Sequence, residues 1–502
     1  MQRRALIRST MVAAIGTTLP RKPFLELFRG GPQDPTDLLA VRGDGSKVTL
    51  SGAMLKELRS SLRGSLLRAK DPGYEEARQV LNPTIDKHPA LVVQPNGVTD
   101  VRTAVSFARA HGLLLAVKCG GHSFSGQSTC DGGMLIDLVQ LRGARVDPAA
   151  RRAWVAGGSL LGLVDHEAMP HGLVTPLGTV SHTGVGGLTT GGGFGRVARR
   201  FGLALDNVMS VDVVTADGSV RHANKEQNED LYWAVRGGGG NFGVVTSFEF
   251  QLHPMERQVI GGSLVFPFAK ARDVLAFYAD YSPAAPDELY LDCFVTPPTT
   301  PGGTDGAAGL LACYSGPASE SDRVLGPLRK LGTPLADDIK PVDYVALQRS
   351  GDVSDPRAMG SYVKNGFSSE INAKLIGTIL DGLRGDPGRS STLYFQHLGG
   401  AIGRVDPSAT AYAYRYAKQN MMIITAWKAS DNAGPPIEWS RQYWKALEPF
   451  TRGFYINEVA GDEGARAVNA NYLGNYPRLA AIKAKYDPTN LFRLNANITP
   501  NA

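Results

Sequence analysis

The stretch "KCGGHSFSGQSTC" (118–130) sets one histidine, His122, behind two glycines and ahead of small hydroxyl residues, with Cys119 and Cys130 on either side. An imidazole can ligate a metal, move a proton or react as a nucleophile. A metal site needs two or three more ligands at workable spacing, and beyond Cys130 the next ligand-type residue, Asp131, has no partner pattern. A serine triad on a nucleophile elbow needs G-x-S-x-G, which the sequence lacks. The four cysteines, Cys119, Cys130, Cys293 and Cys313, have no CxxC spacing; one disulfide stays open and a structural zinc site is disfavoured. What stands is an imidazole on a glycine loop of the kind that meets a ligand.

Two further glycine runs could hold that ligand. "GVGGLTTGGGFG" (184–195) has seven glycines in twelve positions, so successive N–H groups can converge on a diphosphate without Cβ atoms in the way. Its apolar flanks argue against a flexible linker. In "VRGGGGNFGVV" (235–245), Gly238, Gly240 and Gly243 match G-x-G-x-x-G, but a dinucleotide fingerprint follows a strand and opens a helix. Here a helix pattern precedes and a strand pattern follows, so a nicotinamide dehydrogenase fails on context. No G-x-x-x-x-G-K-[ST] occurs, which removes P-loop enzymes.

The elements that must position these loops follow from periodicity. "HPALVVQPNGVTDVRTAVSFARAHGLLLAVKCGGHSFSG" predicts a strand at Leu91 to Val93, a helix at Val98 to His111 and a strand at Leu114 to Val117 that runs into the His122 loop. A helix is expected around Lys56 to Arg68, and further ones at Leu160 to His171, Asp230 to Val235, Ala269 to Tyr281 and Glu320 to Leu331. After about Pro254, β runs such as "LYLDCFV", "STLYFQHL" and "MMIITAW" alternate with helices, predicting a second domain on an antiparallel sheet. The 502 residues are 43% hydrophobic and 20% charged, an ordinary globular balance, and no period of 20 to 50 residues repeats. The net charge of +6 comes from scattered basic residues, which excludes a nucleic-acid stripe, and no apolar run reaches the ~18 to 20 residues of a membrane span. Residues 1–30, with Arg3-Arg4 ahead of a short apolar stretch, leave two readings: a twin-arginine export signal, making the protein periplasmic or extracellular, or an uncleaved leader on a cytoplasmic protein.

"KCGGHSFSG", the "GVGGLTTGGGFG" loop continuing into "RRFGLALDNVMSVDVVTADG", "DLYWAVRGGGGNFGVVTSFEF" and "NYPRLAAIKAKYDPTNLFRLNANI" together resemble the berberine bridge enzyme-like flavoprotein oxidases of the vanillyl-alcohol oxidase / p-cresol methylhydroxylase superfamily, bacterial type. The resemblance covers about residues 84 to 500. It implies an α+β protein: an N-terminal extension (31–83), a PCMH-type FAD-binding domain of two subdomains (84–255), a substrate domain with an antiparallel sheet backed by helices (256–450), and a C-terminal return to the FAD domain (451–502). It implies FAD bonded covalently to His122. Many members add a cysteinyl bond just before the cradle; here Val180 stands at that position, so a single tether is expected, with Cys119 and Cys130 structural. The implied FAD contacts are Cys119, Gly120, Gly121, Ser123 and Gly126; Gly184, Val185, Gly186, Gly187, Thr190 and Gly191; Asp206, Asn207 and Val208; Gly243 and Val245; and Asn457 and Asn475.

The implied reaction is hydride transfer from a small organic alcohol or amine to the flavin, with reoxidation by O2 to hydrogen peroxide. A base must reach the leaving proton. Plant relatives carry a carboxylate on the strand that matches "AKQNMMIITAW" (417–427), where Met422 stands here. Tyr455 in "FYINE" is then the first candidate, provided positive charge lowers its pKa; Phe124 replaces a tyrosine of several relatives. Tyr394 and Gln396 on one strand face, His397 on the other, Asn420 and Tyr362 are further polar candidates. A carbohydrate oxidase and a flavin-binding protein that has lost catalysis are the alternatives.

Overall fold

A computed structural model describes residues 36–352, 357–386, 388 and 390–501. The Arg3-Arg4 leader lies outside the described residues. The first layer is a four-stranded sheet in the order Ser65–Leu67, Leu91–Gln94, Met134–Asp137 and Leu115–Lys118; the last three strands are parallel and the first is antiparallel. The Val98–His111 helix forms where its period-3.6 pattern places it, stops at Gly112 in the left-handed region (φ 64°), and buries Val101, Ala104, Val105 and Ala108 on the sheet. The strand that follows is Leu115–Lys118, and the His122 loop leaves its carboxyl end, where ligands sit in open parallel sheets.

The helix expected over Lys56 to Arg68 is instead Gly52–Ser61, and a strand, Ser65–Leu67, takes the rest. Ser51 caps its start by accepting from Met54 N–H. At the other end Asp100 takes the N–H groups of Arg63 and Gly64, pulling them out of helical register, and a Cβ at Gly64 would overlap the Gln94 carbonyl. The residues between Leu38 and Leu67 thus pack into the first subdomain. Similarly, the helical stretch over 320–331 divides into an α-helix, Ser321–Leu325, and a 3-10 segment, Gly326–Leu331, where Pro327 lacks the N–H an α-helix needs.

The second layer is an antiparallel five-stranded sheet in the order Val220–Ala223, Val208–Val214, Val244–Gln251, Arg152–Ala156 and Ala144–Asp147. Its core takes in Leu479, Ile482 and Tyr486 of the C-terminal helix Tyr476–Tyr486, so the chain end closes on this subdomain. The third layer is an eight-stranded antiparallel sheet whose centre pairs Leu289–Thr296 with Ser391–His397, and that strand with Gln419–Lys428. Period-2 alternation sorts its faces. Leu393, Phe395, Met421 and Ile423 meet the helices Ala271–Tyr281, Ala373–Arg384 and Gly434–Leu447, while Thr392, Tyr394 and Gln396 look the other way. His397 falls on the helix side as expected, accepting from Leu291 N–H at 3.2 Å.

One buried charge pair fastens the C-terminus. The Lys483 ammonium donates to Asp487 (2.7 Å) and to the carbonyls of Asn241 (2.7 Å) and Phe492 (2.9 Å), while Asp487 accepts from Leu491 and Phe492 N–H. Both side chains are fully buried. Lys483→Met strands the carboxylate in the core and is expected to cost about 3–5 kcal/mol in urea unfolding; a loss under 1 kcal/mol contradicts this role.

Candidate active site

A cavity of about 480 Å³ opens between the two glycine loops and the third sheet. Its floor is set by a backbone-on-backbone contact. A Cβ on Gly120 would stand 2.8 Å from Gly184 Cα and overlap its nitrogen; one on Gly184 would meet Cys119 Sγ at 2.5 Å. Gly187 differs: a Cβ there meets nothing within 4 Å and would protrude into the cavity that this residue lines. Glycine therefore serves two purposes, close packing at 120 and 184 and bare backbone at 187.

Of the expected cofactor contacts, Cys119, Gly120, Gly121, His122, Ser123, Gly184, Gly186, Gly187, Thr190, Gly243, Val245 and Asn457 line this cavity. Others do not. Asp206 is held by Arg415 through two contacts, 2.7 and 2.8 Å, and accepts from Leu203 N–H. Asn207 donates to the carbonyls of Phe201 and Leu203, and Val208 belongs to the second sheet's core. The turn after Ala198–Phe201 spends these three residues on anchoring. Asn475 donates to the carbonyls of Pro407 (3.0 Å) and Thr410 (3.2 Å). Val185 is wholly buried, Gly126 packs on Ile85, and Gly191 lies under the Asn457 side chain.

His122 Nε2 lies 2.7 Å from Nδ1 of His182, and its Nδ1 lies 3.3 Å from the Thr183 hydroxyl. Burial, with the second imidazole adding to it, pulls His122 down to about 4, so its ring is neutral at neutral pH. Val180, at the position of the family's second cysteine, lines the same cavity. Burial pushes the Cys119 thiol up to about 11, which keeps it protonated. The four cysteines are free, which closes the disulfide alternative, and Cys130 is buried beside Met134 rather than at the cavity.

Across the cavity stand Tyr394, Gln396, Met422 and Ile424 of the third sheet, with Tyr455 and Glu458 of the segment that follows it. Tyr455 OH accepts from Gly193 N–H (2.9 Å) and Asn457 Nδ2 (2.7 Å). The positive charge that would make it a base is missing. Burial, with the Glu458 carboxylate adding to it, holds the phenol well above its ordinary range. Asn420 is fully buried and Tyr362 donates to Asp462 on the helix side, so neither faces the cavity.

Glu458 is the residue the sequence reading passed over. The 3-10 turn Ile456–Glu458 brings side chains three apart to one side, carrying Glu458 round beside Tyr455. Its carboxylate accepts from Asn420 Nδ2 at 2.8 Å and Gln396 Nε2 at 3.2 Å, and Asn420 also donates to Gln396 Oε1 at 2.7 Å. Burial pushes it up to about 7, against the pull of these two donors. Among the described residues lining the cavity there is no lysine or arginine. A buried carboxylate held above its ordinary range in a cleft makes Glu458 a candidate for proton transfer.

A bare-backbone cradle at a parallel-sheet edge, joined to a second α+β layer and roofed by an antiparallel sheet, defines a two-lobed flavin-binding oxidoreductase. The FAD binding domain family matches residues 89–224, and the berberine and berberine-like family matches residues 454–499. An FAD-linked oxidoreductase of Dictyostelium discoideum is 33% identical over 456 residues, covering 89% of this chain and 97% of that one. The (R)-6-hydroxynicotine oxidase of Paenarthrobacter nicotinovorans is 30% identical over 465 residues, covering 88% and 97%. The crystal structure of 6-hydroxy-D-nicotine oxidase from Arthrobacter nicotinovorans matches with a TM-score of 0.80 at 27% identity, covering 88% of this chain and 99% of that one. The chain belongs to the berberine bridge enzyme-like FAD-linked oxidoreductases.

The cavity fits that cofactor: bare Gly187 backbone on one side and, at another wall, an imidazole that burial keeps neutral. Gly187→Ala, which clashes with nothing in the protein, is expected to lower FAD occupancy of the purified protein severalfold at unchanged folding. Gly184→Ala is expected to lose about 2–3 kcal/mol of stability by overpacking. Equal behaviour of the two variants in absorbance and thermal melting contradicts the distinction.

Proposed function

We propose that this FAD-linked oxidoreductase oxidises a small organic alcohol or amine, with FAD tethered through His122 alone and O2 as final acceptor. The observation that carries this reading is Glu458, a carboxylate in the cavity wall held by two carboxamides. FAD, when bound, supplies the two-electron acceptor. Glu458 takes the O–H or N–H proton of the substrate, and the bonds from Gln396 and Asn420 fix the carboxylate plane for that transfer. Gly193 and Asn457 hold the Tyr455 phenol beside it. Phe124, Phe194, Met422, Ile424 and Val459 give the cavity an apolar wall that suits a small hydrophobic substrate better than a sugar. A buried carboxylate costs stability, which a protein kept for flavin storage would have no use for. The neutral His122 ring and Val180 at the cysteine position support one covalent bond. The Arg3-Arg4 leader adds twin-arginine export to the proposal.

A base must be ionised to act, and Glu458 is raised to about 7, so kcat/KM is expected to rise with pH through about 7 and level above it. Glu458→Gln should remove that limb and lower kcat by about 10²–10⁴-fold. The folded protein binds this proton more tightly than the unfolded chain, so the wild type loses more stability than the Gln variant as pH rises towards 7, the remaining loss coming from acids both share, such as Asp165 and Asp292. An unchanged acid limb in the variant refutes the assignment. For the tether, flavin absorbance is expected to stay with acid-precipitated wild type and leave with the supernatant in His122→Ala; flavin released from the wild type refutes a covalent bond.

A further inference from the structure

Behind the cavity wall lies a second buried acid that the proposed proton transfer does not use. Asp292, on the strand Leu289–Thr296, is 2% exposed. One carboxylate oxygen accepts the Tyr394 hydroxyl proton at 2.7 Å, and the other accepts His397 N–H at 2.9 Å. Burial raises Asp292 to about 6, which still leaves it ionised at neutral pH, while Tyr394 is held well above its ordinary range and stays protonated. A phenol has one proton to give. Tyr394, which lines the cavity, has given it to Asp292, so its oxygen offers lone pairs only.

Glu458 is the other acceptor. Residues 394 and 396 are two apart on one strand face, about 6.6 Å at the backbone, and Gln396 is the residue that donates to Glu458. The two acceptors therefore stand side by side on one apolar wall, and no cationic side chain lines the cavity among the described residues. An anion entering here finds two acceptors and no counter-charge.

We propose that Tyr394, positioned by Asp292, is a specificity-determining residue, and that the site takes a small, largely apolar molecule bearing two N–H or O–H donors and no negative charge, one donor for Glu458 and one for Tyr394. This deepens the alcohol or amine oxidase reading and rests on it for the role of Glu458. A methyl ether at the second position leaves Tyr394 without a partner, and a carboxylate there is repelled.

The test is binding to the flavin-loaded enzyme under argon, read as perturbation of the flavin absorbance, which needs no turnover. The probes are matched trios carrying a hydroxyl, a methoxy or a carboxylate opposite the reacting group, on benzyl, phenethyl and cyclohexylmethyl alcohols and amines. In at least one trio the hydroxyl member is expected to bind roughly tenfold more tightly than its methoxy and carboxylate partners, the size of one hydrogen bond. In Tyr394→Phe the preference for hydroxyl over methoxy should fall below about threefold, with kcat much less affected than KM. Should the unpaired Asp292 carboxylate unfold that variant, Tyr394→Phe with Asp292→Asn removes the charge and should show the same loss. Methoxy or carboxylate members that bind as well as the hydroxyl members, no trio with the stated order, or a preference that survives both variants overturns the proposal. Failure of the base assignment is separate: Glu458→Gln would then keep its acid limb while the Tyr394 result stood.

Discussion

The site depends on the approach of two loops whose backbones touch at Gly120 and Gly184. Gly120 follows a parallel strand of the first sheet, and Gly184 opens the helix Val185–Gly191 of the second subdomain. Their backbones touch, and any Cβ at either position would have to push the loops apart. Overpacking of that kind is relieved by moving backbone, here the join between two subdomains. Everything placed around the cavity inherits this spacing: His122 two residues beyond one glycine, Val180 four before the other, and the bare Gly187 surface one turn along.

The opposite wall solves a different problem, keeping a carboxylate available in an apolar setting. Burial alone would drive Glu458 to its protonated form. The carboxamides of Gln396 and Asn420 return part of that cost by donating to it, and the result lies near 7, where proton uptake and release are both accessible. Asp292, on the same face of that sheet as Tyr394, follows the same logic with a phenol and a backbone N–H as donors. Asp292 sits on a strand of the third sheet and Glu458 on the 3-10 turn packed against it, and both are tied to neighbouring residues of one strand, Tyr394 and Gln396.

Much of the fold was legible because its signals are local. The Val98–His111 helix, the alternation along Ser391–His397 and the glycine runs each declare themselves within a dozen residues. The fold class followed, and most of the residues expected on the His122 loop and cradle line the cavity. The failures came where a long-range partner decided the outcome. Asp206 looks like a cofactor ligand until Arg415, 209 residues away, is seen to claim it. Lys56 to Arg68 looks helical until Asp100 captures Arg63 and Gly64. Glu458 was hidden for another reason: the family's carboxylate belongs on a strand where Met422 stands, while the proposed one sits on a 3-10 turn one residue after Asn457. Its spacing from Tyr455 was visible in "FYINE"; the turn that makes three residues equal one revolution was not.

The central claim is that a carboxylate inside the flavin cavity titrates near neutrality. Difference infrared spectroscopy of the holoenzyme across pH 5 to 9 observes the carboxyl carbonyl stretch directly, with Glu458→Gln as the reference. In the wild-type-minus-variant difference, one protonated-carboxyl band is expected that disappears with a midpoint at about 7, beside the bands of Asp165 and Asp292, raised to about 7 and about 6, that both proteins share. A wild-type-only band that titrates at the ordinary glutamate value, or spectra in which the wild type and the variant titrate alike, would contradict it.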